Sequence, residues 1–459
     1  MKSVLQDYFG TLRNKRIFII GMGVSNMPLI ENMLDAGLSV TACDKREREA
    51  FGGKIEALEQ RGLSVYLGSD YLDHLAGAQI IFRTPGIRPD LPQLRQAVEE
   101  GAELTSEMEI FFRLCPCRII AVTGSDGKTT TTSIIAGLLK AAGYRTFVGG
   151  NIGRPLLCEV DEINPDDIVV LELSSFQLMT MVQSASIAVV TNLAPNHLDV
   201  HKDMNEYIDA KRNIFIHQES EDKLIINGDN EITAAFAAQA KGEVVRFGRH
   251  NSADICLKDG TISYHGHKIL RVEDIALPGD HNQENYMAAI AAVDGLIPEE
   301  IITSFAKTFG GVEHRIEFVR ELDGVRYYND SIASSPSRTI AGLHSFEQKV
   351  ILIAGGYDKH IPYDILGPHI TACVKELILT GDTAEKIRNA TLAAPDYRSG
   401  APEIHLCSNL EEAVKKARES AAPGDVVLLS PASASFDQYK NFEERGNKFK
   451  EFVLNLGTE

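Results

Sequence analysis

The sequence predicts an α/β protein built as three domains, each around a mainly parallel sheet. Apolar runs of strand length alternate with amphipathic runs of helix length along the chain, which is the pattern of strand–helix–strand units. The alternation restarts twice, after about residue 107 and after Gly310-Gly311. A chain of 459 residues, at about 100 to 200 residues per domain, also has room for about three cores. Boundaries are expected at 1–107, 108–311 and 312–459. The first and third domains are expected to be Rossmann-like, and the middle one to add a small antiparallel sheet to a strand–loop–helix nucleotide fold.

In the first series, Arg16–Ile20 reads as a buried strand, followed by a glycine-rich turn, a helix to about Ala36 and a second strand at Ser39–Cys43. The series closes near Glu107, before the apolar, helix-like run Met108–Leu114. The second opens with a strand at Arg118–Val122, turns through TGSDGKT and enters a helix running to about Ala142. Strands at Ile168–Leu173 and Ile187–Thr191 and a helix around Asn205–Phe215 follow. Between Asp254 and Leu270, short alternating runs around Asp259-Gly260 and His265-Gly266 predict the antiparallel sheet, because such dipeptides suit tight hairpin turns. A helix beginning near His281 ends this part. The third series pairs Ile316–Glu321 with Val325–Tyr328 around Asp323-Gly324, then alternates strands at Val350–Ile353, Glu376–Leu379 and Val426–Leu429 with helices. Ligand sites are expected at domain junctions and at the carboxyl ends of parallel strands.

Charge and composition exclude several classes. The 46 Lys plus Arg against 64 Asp plus Glu leave a net charge of −18, which disfavours nucleic acid or an anionic membrane surface as partner. Any anionic substrate has to be held by local donors. No stretch approaches the roughly 20 apolar residues of a membrane span. The start MKSVLQDYFGTLRNK lacks an apolar segment followed by a small-residue cleavage site, so a cytoplasmic protein is expected. The seven cysteines, Cys43, Cys115, Cys117, Cys158, Cys256, Cys373 and Cys407, form no CxxC pair. They are expected to be reduced and mostly buried as small apolar side chains.

The segment Gly124-Ser125-Asp126-Gly127-Lys128-Thr129-Thr130 lies between a strand and a Thr-rich helix start, where a phosphate-binding loop belongs. Small residues let backbone N–H groups face phosphate oxygens, the helix N-terminus favours anions, Lys128 can reach the terminal phosphates and the Thr129 hydroxyl can hold Mg²⁺. The full GxxxxGK[ST] pattern is not met, because Val122 stands where its first glycine would fall. Glu172 ends a strand, and Asn196-His197-Leu198-Asp199 follows the next one. Both positions suit ligand binding, although Mg²⁺ prefers oxygen to imidazole. Lys211, in a helix-like stretch, reads by itself as a solvated lysine, and an ammonium beside Mg²⁺ would be unfavourable. In the first series, Gly21-Met-Gly23-Val-Ser25-Asn26 with Asp44 downstream suggests a dinucleotide fingerprint that Asn26 leaves incomplete.

Together these segments resemble the Mur ligases of peptidoglycan precursor synthesis. The likeness rests on TGSDGKTTT, GGNIG (149–153), LELSSFQL (171–178), NHLD (196–199), GDHNQEN (279–285), EHR (313–315) and NDS (329–331), in order through all three series. SSFQ and the segment SPASASFDQYKNFEERG (430–446) resemble the members that add D-glutamate. The resemblance implies ATP-driven joining of D-glutamate to UDP-N-acetylmuramoyl-L-alanine through an acyl phosphate, by a monomer serving cell-wall synthesis and division. It implies Lys128 on the β/γ-phosphates, Thr129 and Glu172 on one Mg²⁺, His197 at a second, and Lys211 as a lysine carbamylated by CO₂, which would turn the ammonium into an anionic oxygen ligand. It further implies Asn282, Asn285, Arg315 and Asp330 on the nucleotide. Ser25, Asp44, Lys45, Arg46, Gly86 and Asn151 would line the UDP-sugar site, and Ser334, Lys359, Ser435 and Phe442 the D-glutamate site.

The chain departs from the family at Ile332, where many members carry a lysine two residues after the aspartate matched by Asp330. Lys45 replaces a neutral hydroxyl residue that can sit beside the uracil. Other readings are a ligase of the same family with another amino acid, a folyl- or cyanophycin-type ligase, an NAD-dependent oxidoreductase using Gly21–Asn26, or a non-catalytic nucleotide-binding regulator. The oxidoreductase leaves the Gly124–Thr129 loop unexplained, and the regulator leaves the acid, lysine and histidine set without a use.

Overall fold

A computed structural model describes residues 3–195, 200–250, 253–277, 279–359 and 361–457. The first sheet is wholly parallel, with strands β1 (Ile17–Ile20), β2 (Val40–Asp44), β3 (Ser64–Leu67), β4 (Ile80–Arg83) and β5 (Glu103–Thr105) in the order β3-β2-β1-β4-β5. The order reverses at β1, so the turn after Ile20 lies at the switch point where such sheets open a crevice.

The second sheet has nine strands: β6 (Arg118–Thr123), β7 (Thr146–Gly150), β8 (Ile168–Glu172), β9 (Ile187–Val190), β10 (Lys223–Asn227), β11 (Glu243–Gly248), β12 (Ile255–Lys258), β13 (Thr261–Tyr264) and β14 (His267–Arg271). Its order is β14-β13-β12-β11-β10-β9-β6-β8-β7, with β6 at the reversal. Strand β8 is buried throughout, β9 likewise, and β6 in all but its first residue. Helices covering both faces of a parallel sheet require such continuous apolar runs, which is why they stood out in the sequence. The small antiparallel sheet expected between residues 254 and 270 is present as β12-β13-β14, but it is not separate: β12 pairs in parallel with β11 and extends the central sheet.

The third sheet contains β15 (Glu317–Leu322), β16 (Val325–Asn329), β17 (Val350–Ala354), β18 (Val374–Leu379), β19 (Glu403–Leu406) and β20 (Val426–Leu429), ordered β15-β16-β20-β17-β18-β19. Only the β15–β16 hairpin is antiparallel. The chain divides into two compact units, residues 1–307 with the first two sheets and residues 308–459 with the third. In the first unit one apolar cluster runs from Phe9, Ile19 and Phe82 to Phe111, Leu171 and Phe215. In the second, layers on the two faces of the third sheet centre on Leu352 and on Ile353 with Phe449.

All seven cysteines are free. Only Cys43 is buried, and the other six are half-buried, fewer inside than their apolar character predicts. Among the described residues no helix is long and apolar enough to cross a membrane.

Candidate active site

Strand β6 delivers the chain to Gly124, and the helix Lys128–Ala141 starts four residues later. The loop between them is pinned from β9's carboxyl end: Ser125 N–H donates to Asn192 O at 2.9 Å, Asp126 N–H to Asn192 Oδ1 at 2.9 Å, and the Ser125 hydroxyl to Ala194 O at 2.9 Å. Gly124 and Gly127 take φ of +150° and +76°, and a Cβ at Gly127 would run into Asn285 Oδ1. Glycine is therefore required there by backbone and neighbour alike. Gly127 caps the helix without a side-chain bond, and the helix end it forms is the one that favours an anion.

Lys128 folds back over the loop, its Nζ donating to Gly124 O at 3.0 Å and Ser125 O at 2.8 Å. Thr129 is buried, its hydroxyl donating to Glu172 Oε2 at 2.7 Å. The other Glu172 oxygen accepts Asn151 Nδ2 at 2.7 Å, so β7's end, β8's end and the helix start meet at one carboxylate. Thr130 is half-buried and Asp126 exposed. Asn285 and Asn282 are buried on the helix Asp280–Val293, with Asn285 accepting from the Thr131 hydroxyl at 3.2 Å and donating to Asn282 Oδ1 at 3.0 Å. This ties Asn282 and Asn285 to the helix that follows the glycine loop.

Lys211, on the helix Met204–Arg212, is buried rather than solvated, with 2 % of its surface exposed. Its Nζ donates to Gly124 O at 2.8 Å and to Thr123 Oγ1 at 3.1 Å, and lies 4.9 Å from the Tyr207 ring centre. Burial first, and then the neighbouring Lys128 charge, push its pKa well below the ordinary lysine range against the opposing pull of Glu172 and Asp126. Lys128 and Lys211 thus converge on one carbonyl oxygen. His197 lies outside the described residues. Among those described, no cluster of three His, Cys, Asp or Glu side chains could hold a metal; Glu172 and Thr129 bring one carboxylate and one hydroxyl together at 2.7 Å.

In the first sheet, a Cβ at Gly21 would come within 2.5 Å of Thr84 Cγ2, so the β1 turn and the β4 turn touch through a glycine. Asn26, which breaks the dinucleotide fingerprint, donates Nδ2 to Ile20 O and Gly21 O and braces the turn from within. Asp44 accepts Met22 N–H at 2.7 Å and three donors of Arg46. Burial alone would raise its pKa, but the Arg46 and Met22 hydrogen bonds hold it below the usual carboxylate range. Its acceptors are filled by the chain, so it is not open to the ribose hydroxyls that a dinucleotide reading assigns to it. Ser25 is half-buried, and Lys45, Arg46 and Gly86 are exposed around this turn.

Three side chains that sequence reasoning missed join the two sheets of this unit. Arg83, 2 % exposed, donates to Thr84 O, Pro85 O and Ile87 O in the β4 turn and reaches Phe176 O at 3.4 Å and Thr180 Oγ1 at 3.2 Å. Arg88 forms a fork on Glu206 at 2.7 and 2.9 Å and another on Asp90 at 2.8 and 2.9 Å. His201 sits between the Phe176 and Tyr207 rings, with Nε2 2.8 Å from Ser175 Oγ and Nδ1 3.5 Å from Glu206. The SSFQ turn, the Lys211 helix and the β4 turn are therefore one assembly.

Arg88→Ala is expected to lower stability by about 1–2 kcal/mol in urea unfolding, since two partly buried carboxylates lose a bidentate partner. The pH dependence checks the cause. Glu206 is held down to about 2, first by Arg88, and Asp90 is also held low, first by Arg88 and then Lys202. Carboxylates with depressed folded pKa values add stability above their unfolded values and lose it as pH falls. The gap between wild type and variant should thus close between about pH 4.5 and 2.

In the second unit Asp330 follows β16, is 4 % exposed, and accepts the Ser430 hydroxyl at 2.7 Å. Burial pushes its pKa up to about 7 despite that bond and the nearby Arg315. A carboxyl raised in this way keeps its proton in the folded state between about pH 4 and 7, so stability is highest below that interval and falls through it. Asp330→Asn should remove this fall and leave the unit up to about 4 kcal/mol more stable at pH 8. Arg445, buried, donates to Ser331 Oγ, Ser331 O, Ala434 O and Ser433 O, fastening the NDS loop to the SPASAS loop. Ser435 is buried beside them, Phe442 stacks edge-on to His314, Ser334 and Ile332 are half-buried, and Lys359 is exposed. Sequence reasoning did not single out Arg445, although it lies within the terminal motif it quoted.

Family models match along the chain: the Mur ligase MurD-like N-terminal domain at 15–106, the Mur ligase middle domain at 122–293 and the Mur ligase glutamate ligase domain at 314–433. UDP-N-acetylmuramoylalanine–D-glutamate ligase of Acetivibrio thermocellus is 53 % identical over 99 % of this chain and 100 % of its own length. The enzyme of the same name from Ruminiclostridium cellulolyticum is 51 % identical with the same coverage. Among solved structures, the UDP-N-acetylmuramate–alanine ligase of Thermotoga maritima shares the fold at a TM-score of 0.55 and 20 % identity, covering 96 % of this chain and 100 % of that one. Whole-length likeness to these relatives, together with the three domain matches in order, shows that this chain belongs to the Mur ligase family, in its MurD-type branch.

Proposed function

We propose that the chain joins D-glutamate to the L-alanine carboxylate of UDP-N-acetylmuramoyl-L-alanine at the expense of ATP, as a cytoplasmic monomer in peptidoglycan precursor synthesis. The observation that carries this reading is the meeting of Lys128, Thr129, Glu172 and Lys211 around Gly124, at the end of the strand where the central sheet reverses. A carboxylate is a poor electrophile. Transfer of the ATP γ-phosphoryl group to a carboxylate oxygen gives an acyl phosphate and ADP; the D-glutamate amine then attacks the acyl carbon, and phosphate leaves from the tetrahedral adduct. Such transfer depends mainly on positioning and charge neutralisation.

The phosphate-loop N–H groups and Lys128 hold the β- and γ-phosphates, which requires Lys128 to exchange its bonds to Gly124 O and Ser125 O for phosphate oxygens. Asn282, Asn285, Arg315 and Asp330 bind the nucleotide. The Thr129 hydroxyl and the Glu172 carboxylate, 2.7 Å apart, suit Mg²⁺, a hard cation that takes oxygen ligands. When bound there, such an ion supplies charge neutralisation for the phosphoryl oxygens. His197 and Lys211 would hold a second ion. For Lys211 this would require carbamylation: with its pKa lowered by burial, the amine in its deprotonated form would attack CO₂, an N–C bond would form as one C–O π bond opens, and one N–H proton would pass to solvent, giving an anionic oxygen donor. Ser25 in the Gly21–Asn26 turn, Lys45, Arg46, Gly86 and Asn151 hold the UDP-sugar, with Asp44 fixing the Arg46 side chain beside it. Lys359, Ser334, Ser435 and Phe442 receive D-glutamate.

Phosphate release with ATP, Mg²⁺ and UDP-N-acetylmuramoyl-L-alanine tests the reading. Release should require D-glutamate and be negligible with L-glutamate, D-aspartate or L-lysine. Equal release with any of these would overturn the substrate assignment.

A further inference from the structure

The chain between the first two sheets contains Cys115-Pro116-Cys117, the two cysteines closest together in the sequence. The helix Glu107–Leu114 stops at Cys115, whose N–H donates to Phe111 O at 2.9 Å, and Pro116 cannot continue it. Strand β6 begins at Arg118. In extended chain residues two apart point to the same side. The two sulfurs accordingly lie 3.7 Å apart, in hydrogen-bond contact. Both residues are half-buried, while Pro116 and Arg118 are exposed, so a small molecule can approach. We propose that Cys115 and Cys117 form a dithiol that a low-molecular-weight disulfide oxidises to an internal disulfide, making this link a thiol-modification site separate from the ligase chemistry.

The step balances within the pair and its oxidant. The Cys115 thiolate attacks one sulfur of the oxidant, whose S–S bond breaks and releases one thiolate. Cys117 then loses its proton to solvent and its sulfur attacks that of Cys115, breaking the mixed disulfide and releasing the second thiol. Two electrons pass from the two cysteines to the oxidant, and two thiols leave. Closing the gap to a bonded length of about 2.0 Å needs movement that side-chain rotation can share between the two residues. Either sulfur can donate in this contact, so each thiol can stabilise the thiolate of the other, and Cys117→Ser leaves Cys115 without a resolving partner. Cys43 and Cys158 are each pushed up to about 12, first by burial, and lack that activation.

The experiment incubates the full chain in buffers of graded reduced to oxidised glutathione, quenches with acid, alkylates with N-ethylmaleimide and weighs the peptide carrying both cysteines. In wild type the peptide should lose both alkylation sites together, with loss of two hydrogens and no added glutathione. Cys117→Ser should instead accumulate glutathione on Cys115, and Cys158→Ser should behave as wild type. Circular dichroism and ligase turnover of the variants should match wild type, which keeps a folding defect out of the result. Two alkylated cysteines in wild type at every ratio, a lasting mixed disulfide in wild type, or dependence on Cys158 would each overturn the proposal.

Discussion

Alanine at Lys211 is expected to abolish turnover, with a loss of at least about a thousandfold, the scale on which a preorganised charge at a transferring phosphoryl group acts. Added bicarbonate should not restore it, because the amine that would take up CO₂ is gone. Wild type labelled with ¹³C-bicarbonate should show a carbamate carbon resonance that the variant lacks. The expectation comes from the position of the amine. It is 2 % exposed and donates to Gly124 O and Thr123 Oγ1, and burial together with the Lys128 charge pushes its pKa well below the ordinary lysine range. A lysine with only a packing role would leave most activity in the Lys211→Met variant, and full turnover there would remove the carbamate from the mechanism.

The second large effect is expected at Glu172. Glu172→Gln keeps the shape of the side chain and can still meet Asn151 and Thr129, yet it removes the carboxylate that accepts the Thr129 hydroxyl. Turnover should fall by about 10²–10³-fold, and the Mg²⁺ concentration for half-maximal activity should rise. The rise in Mg²⁺ requirement is the discriminating result. Lower turnover with unchanged Mg²⁺ dependence would assign Glu172 to holding Asn151 and Thr129 in place.

What the sequence made legible follows the range of the interactions. Strands β6, β8, β9, β17 and β20 could be placed to within a residue or two because a sheet covered on both faces demands unbroken apolar runs. The Gly124–Thr129 loop could be read because its glycines and lysine are adjacent in the chain. Lys211 could not: composition makes a helix lysine a surface residue, and only family resemblance marked it before its burial was seen. Arg83, Arg88 and His201 were invisible because their partners lie far along the chain, at Phe176, Glu206 and Ser175. No local period records such pairs. The hairpins near residue 260 were recognised by their turns, but nothing local says that β12 lies beside β11.

The bonds of Arg83, Arg88 and Glu107 across the first two sheets also decide how the protein can be taken apart. A fragment ending at residue 107 would lose Phe176 and Thr180 as acceptors for the buried Arg83, Glu206 for Arg88, and the Leu157 N–H that donates to Glu107 at 2.9 Å. The apolar cluster that runs through both sheets, from Phe9 and Phe82 to Phe111 and Leu171, would at the same time be opened to water. Residues 1–307 are therefore expected to melt in calorimetry as one cooperative block, and a truncation that separates the first sheet from the second is expected to yield pieces with lower melting temperatures than the whole.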